Sequence, residues 1–397
     1  MRIVLGVGAG IAAYKSCEFL RLLVESGHRA RVVPTPDALR FVGEATWAAL
    51  SGEPVSSGVW NDVHDVAHVR LGQTADLVFV APATADLMAR AAAGMSDDLL
   101  TAVLLTARCP VVFAPAMHTE MWQHPATQAN VSALRSRGAV VLEPAVGRLT
   151  GSDTGPGRLP EPAELLRVGL RVLARGGEGL APDLTGRQVL VSAGGTREEI
   201  DPVRFLGNWS SGRQGYALAC AAACRGAKVT LVSANVALQD PAGAQVVRVT
   251  SARQMRDAMK SAAVESDAVV MAAAVADYRP ETRSDTKIKK SGAPPPLRLV
   301  PNPDILRELS SQRSRPGQVV VGFGAETGDV LANGRAKLAA KGCDLLVVNQ
   351  VGGGRAFGTS DNEALVLGSD GTQTLVPLGP KEALADIVWD LVVDRLG

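Results

Sequence analysis

The residues best suited to chemistry are lysines of the second half, which could bind a polyphosphate. Residues 1–178 contain a single lysine, Lys15, whereas the rest of the chain contains eight. Five of the eight form two short groups, which are Lys287, Lys289 and Lys290, then Lys337 and Lys341. The last two are one helical turn apart and can face one ligand together. Ammonium groups neutralise phosphate charge, but a solvated basic face is the more frequent explanation of such clusters.

Glycines follow the first predicted strand of each half, where backbone N–H groups and a helix N-terminus could hold a phosphate. They are Gly6, Gly8 and Gly10 in the first half, and Gly194 and Gly195 before Thr196 in the second. A dinucleotide-binding fold adds an acidic residue after its second strand, to bind the ribose hydroxyls. Here the second strands end in VPTP (33–36) and VSAN (232–235). A nicotinamide oxidoreductase is therefore disfavoured in both halves.

Length and composition predict two domains that act on small molecules. The chain has 397 residues, and domains usually contain about 100–200. A formal charge of +1 leaves no overall field to attract nucleic acid or an anionic membrane. The five cysteines lack the spacing of a metal site, and Cys220 and Cys224 are better explained by helix packing. With no signal peptide and no apolar run of membrane-spanning length, we expect a reduced, cytoplasmic protein.

The order of predicted elements indicates an α/β fold with parallel sheets covered by helices. In the first half the predicted strands are 3–7, 30–34, 77–81 and 111–114. The predicted helices are one over 11–26, one near 36–50, more than one over 83–106 and one over 160–174. In the second half the predicted strands are 188–192, 228–232, 268–272, 319–323 and 344–348, and the predicted helices are 212–225 and 380–396. A glycine- and proline-rich stretch separates the two series, so we predict domains over 1–178 and 187–397, joined by a linker over 179–186.

Three polar segments of the first half begin where predicted strands or helices end, and ligands of open α/β sheets bind at the strand ends. They are APAT (81–84), MSDD (95–98) and PAMH (115–118). Together with GAGIAAYK (8–15), HVRL (68–71) and GSDTGPGRL (151–159), they make the first half resemble the flavin-dependent cysteine decarboxylases. The resemblance implies a flavodoxin-like domain that binds FMN. The flavin of that family oxidises a C-terminal cysteine to a thioaldehyde, which makes loss of carbon dioxide feasible.

The resemblance also implies roles for individual residues of the first half. His68 matches the catalytic histidine, and a neutral imidazole could assist proton or hydride movement. His118 occupies the position of the catalytic asparagine that holds the substrate carboxylate. The expected flavin contacts are Gly8, Gly10, Ile11, Thr35, Thr84, Ser96, Asp97, Asp98 and Leu99. The expected substrate contacts are Met117, Thr150, Ser152, Asp153 and Arg158.

Two positions depart from the decarboxylase pattern. The family has asparagine where this chain has His118, although an imidazole N–H can make the same contact. The family usually has a proton-donating cysteine in an ACGD segment, where this chain reads TGSD (150–153) with Gly151 at the cysteine position. The proton then comes from Thr150, Ser152, Asp153 or a water, or else the decarboxylase half is impaired. We favour a substituted proton donor, because Gly155, Gly157 and Arg158, which follow in the same substrate-clamping flap, match the family.

The second half resembles the phosphopantothenate–cysteine ligase that bacteria fuse to the decarboxylase. The resemblance rests on the segment 192–219, AAAVADYRP (272–280), KIKK (287–290), NPDIL (302–306) and VGFGAET (321–327). It implies a Rossmann-like ligase domain in which CTP and Mg²⁺ or Mn²⁺ activate a carboxylate as an acyl-nucleotidylate. Asn208 and Arg204 match catalytic positions, Asp277 is the expected metal ligand, and Lys289 is an expected substrate contact. The expected nucleotide contacts are Gly194, Gly195, Thr196, Ala273, Asp277, Lys287, Pro303, Asp304, Ile305, Leu306, Phe323, Lys337 and Lys341.

The combined resemblance covers nearly the whole chain and predicts an enzyme with two consecutive reactions of coenzyme A biosynthesis. Cysteine is joined to 4'-phosphopantothenate, and 4'-phosphopantothenoylcysteine is then decarboxylated to 4'-phosphopantetheine. The alternative is a ligase whose flavin domain is a non-catalytic oligomerisation or regulatory scaffold. The expected partners are 4'-phosphopantothenate, cysteine and CTP, without nucleic acid or membrane. The family also implies a homo-oligomer, trimer-based through the flavin domain and up to a dodecamer, with paired ligase domains.

Overall fold

A computed structural model describes residues 1–55, 66–149, 153–176, 182–290, 296–326, 328–350 and 361–397. The chain divides into two compact units, Met1–Asp183 and Leu184–Gly397. The predicted linker over 179–186 lies partly outside the described residues. Its residues from Leu184 on belong to the second unit, because the Leu184 side chain is fully buried in that unit's core and its N–H donates to the carbonyl of Arg225.

The first unit is a parallel sheet with helices on both faces, followed by a small hairpin. Its elements are β1 (Arg2–Val7), α1 (Ala13–Glu25), β2 (Arg29–Pro34), a 3-10 helix (Pro36–Arg40), α2 (Glu44–Ser51), α3 (Ala67–Thr74), β3 (Leu77–Ala83), α4 (Ala85–Ala93), α5 (Leu99–Thr106), β4 (Val111–Pro115), α6 (Thr119–Gln123), α7 (Pro125–Ser136), β5 (Val140–Val141), β6 (Ala145–Arg148), β7 (Thr154–Arg158) and α8 (Pro162–Arg175). The sheet order β2-β1-β3-β4-β5 is that of flavodoxin-like folds, so the predicted class is confirmed.

Burial explains why the central strands of this sheet read as continuous apolar runs. All seven residues of β3 are buried, because helices cover both faces of the sheet. Phe79 of β3 packs edge-on against Phe19 of α1, with ring centroids 4.8 Å apart. The prediction of one helix over 36–50 was wrong, since a 3-10 helix and α2 replace it with Gly43 between them. The hairpin β6–β7 was also not predicted.

The second unit has a larger, mixed sheet. Its elements are β8 (Gln188–Gly194), β9 (Arg197–Asp201), β10 (Arg204–Gly207), α9 (Arg213–Cys224), β11 (Lys228–Ala234), β12 (Ala244–Val249), α10 (Ala252–Ala263), β13 (Ala268–Met271), β14 (Tyr278–Pro280), β15 (Leu299–Pro301), α11 (Ile305–Ser311), β16 (Val319–Glu326), α12 (Val330–Lys341), β17 (Leu345–Gln350), β18 (Asp361–Gly368), β19 (Gln373–Pro380) and α13 (Lys381–Leu396).

The strand order of this sheet is β12-β11-β8-β13-β16-β17-β18-β19. The first six strands are parallel and follow the doubly wound order of Rossmann-like folds, which confirms the predicted class. The strands β18 and β19 add an antiparallel edge that the sequence patterns did not predict. Because the order reverses between β8 and β13, ligands are expected outside the carboxyl ends of these strands.

Candidate functional site

In the first unit, three predicted flavin contacts meet where the strand order reverses, between β1 and β3. The N–H of Gly8 donates to the carbonyl of Pro82 at 3.0 Å. A Cβ atom at Gly8 would lie 2.6 Å from that carbonyl and 3.4 Å from the methyl group of Thr84. A Cβ atom at Gly10 would lie 3.7 Å from the same methyl group. Gly8 is therefore required by the close approach to Pro82, Gly10 has room beside Thr84, and Ile11 next to them is 72% exposed.

Thr35 supports the presence of a polar ligand at this edge. It follows β2, and its N–H donates to the carbonyl of Val7 at the end of β1. Its side chain is buried, yet its hydroxyl Oγ1 has no hydrogen-bond partner in the part of the chain that the structure describes. A buried hydroxyl without a partner is costly, so a bound group that completes it would stabilise the site. This chemistry fits a flavin, which carries hydroxyl, carbonyl and phosphate oxygens.

The segment 96–99 uses its carboxylates within the protein. The Oδ1 atom of Asp98 accepts from the N–H of Thr101 at 2.8 Å and caps α5. Arg90 donates to Asp97 at 3.0 Å and to Asp98 at 2.8 Å. The Arg90 guanidinium holds the pKa of Asp97 below its ordinary value, so this carboxylate stays ionised. A flavin would therefore contact this segment through its backbone and through Ser96. Arg90 holds the turn that presents them.

Two predicted decarboxylase residues, His118 and Asp153, come together beside the hairpin β6–β7. The Nδ1 atom of His118 lies 4.0 Å from Oδ2 of Asp153. The N–H of the predicted substrate contact Met117 donates to the carbonyl of Gly157 in β7 at 2.9 Å. A Cβ atom at Gly157 would lie 2.1 Å from the carbonyl oxygen of Met117, so only glycine permits this approach. The predicted contacts Thr150 and Ser152 lie outside the described residues.

Arg158, another predicted substrate contact, shares a carboxylate with the one lysine of this unit. Its Nη2 atom donates to Oε1 of Glu161 at 2.5 Å, and Nζ of Lys15 donates to the same atom at 2.7 Å. Lys15 is 8% exposed and also donates to the carbonyl of Leu159. This buried pair fixes the chain that leaves β7, which leaves Arg158 with donors for a substrate anion because a guanidinium has five.

His68, the predicted catalytic histidine, lies in the first turn of α3 and is half-buried. Its carbonyl accepts a hydrogen bond from Oγ1 of Thr106 at 2.9 Å, which ties α3 to the end of α5. A Cβ atom at Gly72 would lie 2.3 Å from the same Oγ1, so the two helices are in close contact. The helix bearing His68 is therefore held firmly. The residues before it, 56–65, lie outside the described part.

The second unit contains a cavity of about 810 Å³ at the carboxyl ends of β13 and β16. Ten predicted site residues line it, which are Asn208, Ala273, Asp277, Pro303, Asp304, Ile305, Leu306, Phe323, Lys337 and Lys341. Six predicted residues are absent from its described lining, which are Gly194, Gly195, Thr196, Arg204, Lys287 and Lys289. The volume is that of a site for small molecules.

Amide side chains shape the strand end that forms one wall of this cavity. Nδ2 of Asn208 donates to the carbonyl of Val275 at 3.0 Å. Nδ2 of Asn302 donates to the carbonyl of Ala276 at 2.8 Å. Behind the wall, Oγ1 of Thr196 accepts from the N–H of Ala276 at 2.9 Å. The Gly194–Thr196 turn thus supports the cavity wall from behind, whereas the sequence predicts that it contacts the nucleotide.

The two predicted lysines of α12 both reach the cavity, and each is paired with a carboxylate. Nζ of Lys337 donates to Oε1 of Glu326 at 3.0 Å. Nζ of Lys341 donates to Oδ2 of Asp304 at 2.6 Å, and Oδ1 of Asp304 caps α11. These pairs hold the ammonium groups in place, and each retains donors for a phosphate.

Arg204 and the KIKK segment lie together outside the cavity lining, joined by a buried carboxylate. Oδ2 of Asp201 accepts from Nε of Arg204 at 2.9 Å and from the N–H of Ile288 at 3.1 Å. Oδ1 of Asp201 accepts from the N–H groups of Val203 and Arg204. The Arg204 guanidinium holds the pKa of Asp201 well below its usual range. Asp201 therefore fixes the backbone between Lys287 and Lys289, which explains the position of Arg204.

A divalent cation at Asp277 needs the help of a ligand. Asp277 lines the cavity and is exposed, and Asp304 supplies a second lining carboxylate. Among the described residues, no group of three His, Cys, Asp or Glu side chains could hold a metal by itself. Mg²⁺ is usually bound by one or two carboxylates together with substrate phosphates, so these residues fit a cation that arrives with a nucleotide.

The cavity residues that sequence reasoning missed include Arg213, Gln214, Asn349, Asn362 and Lys381. They come from α9, β17, β18 and α13, and no motif connects them. Only the pairing of β17 with β18 and the packing of α13 near α9 bring them together.

Among the residues that the structure describes, no helix is long and apolar enough to cross a membrane.

Comparison with protein families assigns each unit to a known class. A family model described as "Flavoprotein" matches residues 1–172. A model described as "DNA/pantothenate metabolism flavoprotein C-terminal domain" matches residues 184–396, more than half of the chain. The protein is therefore a flavoprotein unit followed by a pantothenate-metabolism unit.

Relatives are similar to this chain over nearly their full length. "Coenzyme A biosynthesis bifunctional protein CoaBC" of Mycobacterium tuberculosis (strain ATCC 25618 / H37Rv) is 58% identical, covering 100% of this chain and 97% of the relative. The protein of that name in Vibrio cholerae serotype O1 is 42% identical, covering 100% and 98%. A crystal structure of the C-terminal domain of a CoaBC protein is 34% identical, covers 54% of this chain and 98% of its own, and has a TM-score of 0.47.

The chain belongs to the family of coenzyme A biosynthesis bifunctional proteins, CoaBC. Membership confirms the predicted enzyme, a phosphopantothenoylcysteine decarboxylase joined to a phosphopantothenate–cysteine ligase. The alternative of a ligase with a non-catalytic flavin scaffold is not favoured.

Proposed function

We propose that the second unit uses CTP and Mg²⁺ to activate 4'-phosphopantothenate and that the first unit uses FMN to decarboxylate the ligated product. The observation that carries the ligase part is the cavity that gathers Asn208, Asp277, Lys337 and Lys341 at the switch point of the sheet. The choice of CTP follows from the family resemblance.

Ligation proceeds in two steps. The carboxylate oxygen of 4'-phosphopantothenate attacks the α-phosphorus of CTP, and pyrophosphate leaves. The amine of cysteine then attacks the acyl carbon, CMP leaves, and the amine loses a proton. Lys337 and Lys341 would offset part of the charge of the phosphates, and Asp277 with Asp304 would hold Mg²⁺, which would offset more of it. The amide of Asn208 lies on the cavity wall, where it would donate to the acyl carbonyl as charge develops.

Decarboxylation uses the polar groups of the first unit. When bound, FMN supplies the two-electron oxidation of the cysteine side chain and its later reversal. Gly8, Gly10 and Thr84 would hold it at the edge between β1 and β3. His68 would move the proton that accompanies oxidation, and His118 would donate an N–H to the substrate carboxylate. Asp153 lies 4.0 Å from His118 and is the described candidate for the missing cysteine's role as proton donor.

The assembly of the chain and its location in the cell stay predictions. Exposed apolar side chains support the predicted assembly in part. In the first unit Ile11, Tyr14 and Val146 are 72%, 62% and 73% exposed, which suits burial between trimeric copies. In the second unit Trp209 is 87% exposed and Phe205 is 51% exposed, which suits a pair of ligase units. Cytoplasmic location follows from the sequence expectation alone.

One experiment tests both reactions. The purified full-length chain is incubated with 4'-phosphopantothenate, cysteine, CTP and Mg²⁺, and the products are followed by mass. We expect 4'-phosphopantetheine, together with flavin absorption that persists through purification. Accumulation of 4'-phosphopantothenoylcysteine without loss of carbon dioxide would refute the decarboxylase assignment, and absence of both products would refute the ligase assignment.

A further inference from the structure

The cavity of the second unit is lined by two groups of polar side chains with different charge. In the first, the ammonium groups of Lys337 and Lys341 are paired with the carboxylates of Glu326 and Asp304. The second, which we name the Lys381 group, consists of Arg213, Gln214, Asn349, Asn362 and Lys381. It contains two cations and no carboxylate. The unneutralised positive charge of the cavity lining therefore lies in the Lys381 group.

Lys381 is a buried cation of the cavity lining. It is the first residue of α13, is 6% exposed, and its Nζ donates to the carbonyl of Asp361 at 3.1 Å. Burial and the charge of nearby Arg213 lower the pKa of Lys381, and the carboxylates of Glu382 and Asp361 oppose this only in part. A buried charge is costly unless a counter-charge compensates it. Within the described residues, neither Lys381 nor Arg213 forms an ion pair with a carboxylate within 4.0 Å, and Glu382 and Asp361 act on Lys381 only at longer range.

The amides of the Lys381 group are arranged around this lysine. Nε2 of Gln214 donates to the backbone carbonyl of Lys381 at 3.1 Å, which ties α9 to α13. Nδ2 of Asn362 lies 3.4 Å from Oε1 of Gln214, and Asn362 is 4% exposed. Oδ1 of Asn349 is buried and lacks a hydrogen-bond partner in the described ranges. This oxygen is an acceptor, so a ligand hydroxyl or N–H group could complete it, whereas a ligand anion would neutralise the two cations.

We propose that Lys381 and Arg213 bind a phosphate group of a ligation substrate, an inference that rests on the proposed ligase function. Phosphate fits because it accepts several hydrogen bonds and carries the charge that two cations need. Two substrates bring such a group, since CTP carries a triphosphate and 4'-phosphopantothenate carries a terminal phosphate. Either phosphate would meet cations without a carboxylate partner, whereas the lysines of α12 already have such partners.

The test compares Lys381→Gln and Arg213→Gln in the full-length chain with Lys228→Gln as a matched control. Lys228 is an exposed lysine at the start of β11, absent from the described cavity lining. Initial rates of pyrophosphate release give KM for CTP and for 4'-phosphopantothenate separately. Loss of a charge-assisted hydrogen bond is expected to raise the KM of the substrate that binds there by about tenfold or more. The KM of the other substrate and the decarboxylation of supplied 4'-phosphopantothenoylcysteine should not change.

The outcomes separate the possibilities. A rise in KM for CTP alone shows that Lys381 and Arg213 bind the triphosphate. A rise in KM for 4'-phosphopantothenate alone shows that they bind its terminal phosphate. If both variants keep both KM values near those of Lys228→Gln, the inference is wrong while the ligase function stands. If the unaltered chain releases no pyrophosphate, the proposed function itself fails. Arg213 is exposed, so Arg213→Gln gives a folded test even if Lys381→Gln destabilises the second unit.

Discussion

Replacing Gly157 by alanine should selectively disable decarboxylation. The added methyl group would lie 2.1 Å from the carbonyl oxygen of Met117, so the hairpin β6–β7 must move by about 1 Å to restore an ordinary contact. That movement breaks the 2.9 Å hydrogen bond from Met117 to Gly157. Overpacking of about 1–3 kcal/mol and a lost hydrogen bond of about 1 kcal/mol together predict a loss of about 2–4 kcal/mol in unfolding free energy of the first unit.

The catalytic effect should exceed the effect on folding, because the hairpin positions Asp153 beside His118. A displacement of about 1 Å in a catalytic arrangement costs about 100-fold in rate. We therefore expect Gly157→Ala to lower kcat for decarboxylation of supplied 4'-phosphopantothenoylcysteine about 100-fold, measured by mass. Ligation, measured by pyrophosphate release, should be unchanged because it uses the second unit.

A glycine without a close neighbour provides the control. A Cβ atom at Gly43 would have no atom within 4 Å, and its φ of −74° suits any residue. Gly43→Ala should leave both activities near their original values. If Gly157→Ala decarboxylates as fast as Gly43→Ala, the close approach of the hairpin to Met117 does not position the catalytic groups, and the reasoning is refuted.

Three further predictions concern single side chains and the metal. Asp201→Asn should lower the ligation rate at least about tenfold without affecting decarboxylation, because the backbone of Ile288 loses its acceptor. The lowered pKa of Asp201 means that its carboxylate stabilises the fold above about pH 4 and loses this effect as the pH falls further, so urea titrations should show the variant and the original chain converging in acid. His118→Asn should retain decarboxylation in the mass assay, whereas His118→Ala should lose at least about tenfold, because only the asparagine keeps an N–H donor; equal rates would contradict the assignment. Removing divalent cations with a chelator should abolish pyrophosphate release and leave decarboxylation intact, and persistence of ligation would exclude Asp277 as a metal ligand.

The general fold and most of the cavity could be predicted because they depend on local patterns and on one topological rule. Apolar runs followed by polar segments locate strand ends, and parallel strands place their carboxyl ends at one edge. Hence Asn208, Asp277 and Lys341, distant in sequence, line one cavity in the second unit. The antiparallel strands β18 and β19 were not predicted, although burial alternates along the first half of β18.

The glycine turns show where a sequence pattern supports two physical roles. Glycines after a first strand predict phosphate binding, and Gly8 lies beside Thr84 at the ligand edge of the first unit, although a Cβ atom there would also meet the carbonyl of Pro82. In the second unit a Cβ atom at Gly194 would lie 2.0 Å from the carbonyl of Ala234, and the residue has a φ of +85°. This glycine is required by the neighbouring strand. The sequence cannot separate these roles, because both demand the absence of a side chain.

The sequence also does not show which charges are neutralised by a partner after folding. Counting lysines favours Lys287, Lys289, Lys337 and Lys341, yet the last two are paired with carboxylates. Lys381 belongs to no cluster in the sequence, but the fold buries it in the cavity lining without a carboxylate partner among the described residues. The electrostatic demand of a site depends on which charges remain uncompensated after folding, and pairing across distant elements decides this. The residue with the strongest requirement for an anionic ligand is therefore the one that no motif marks.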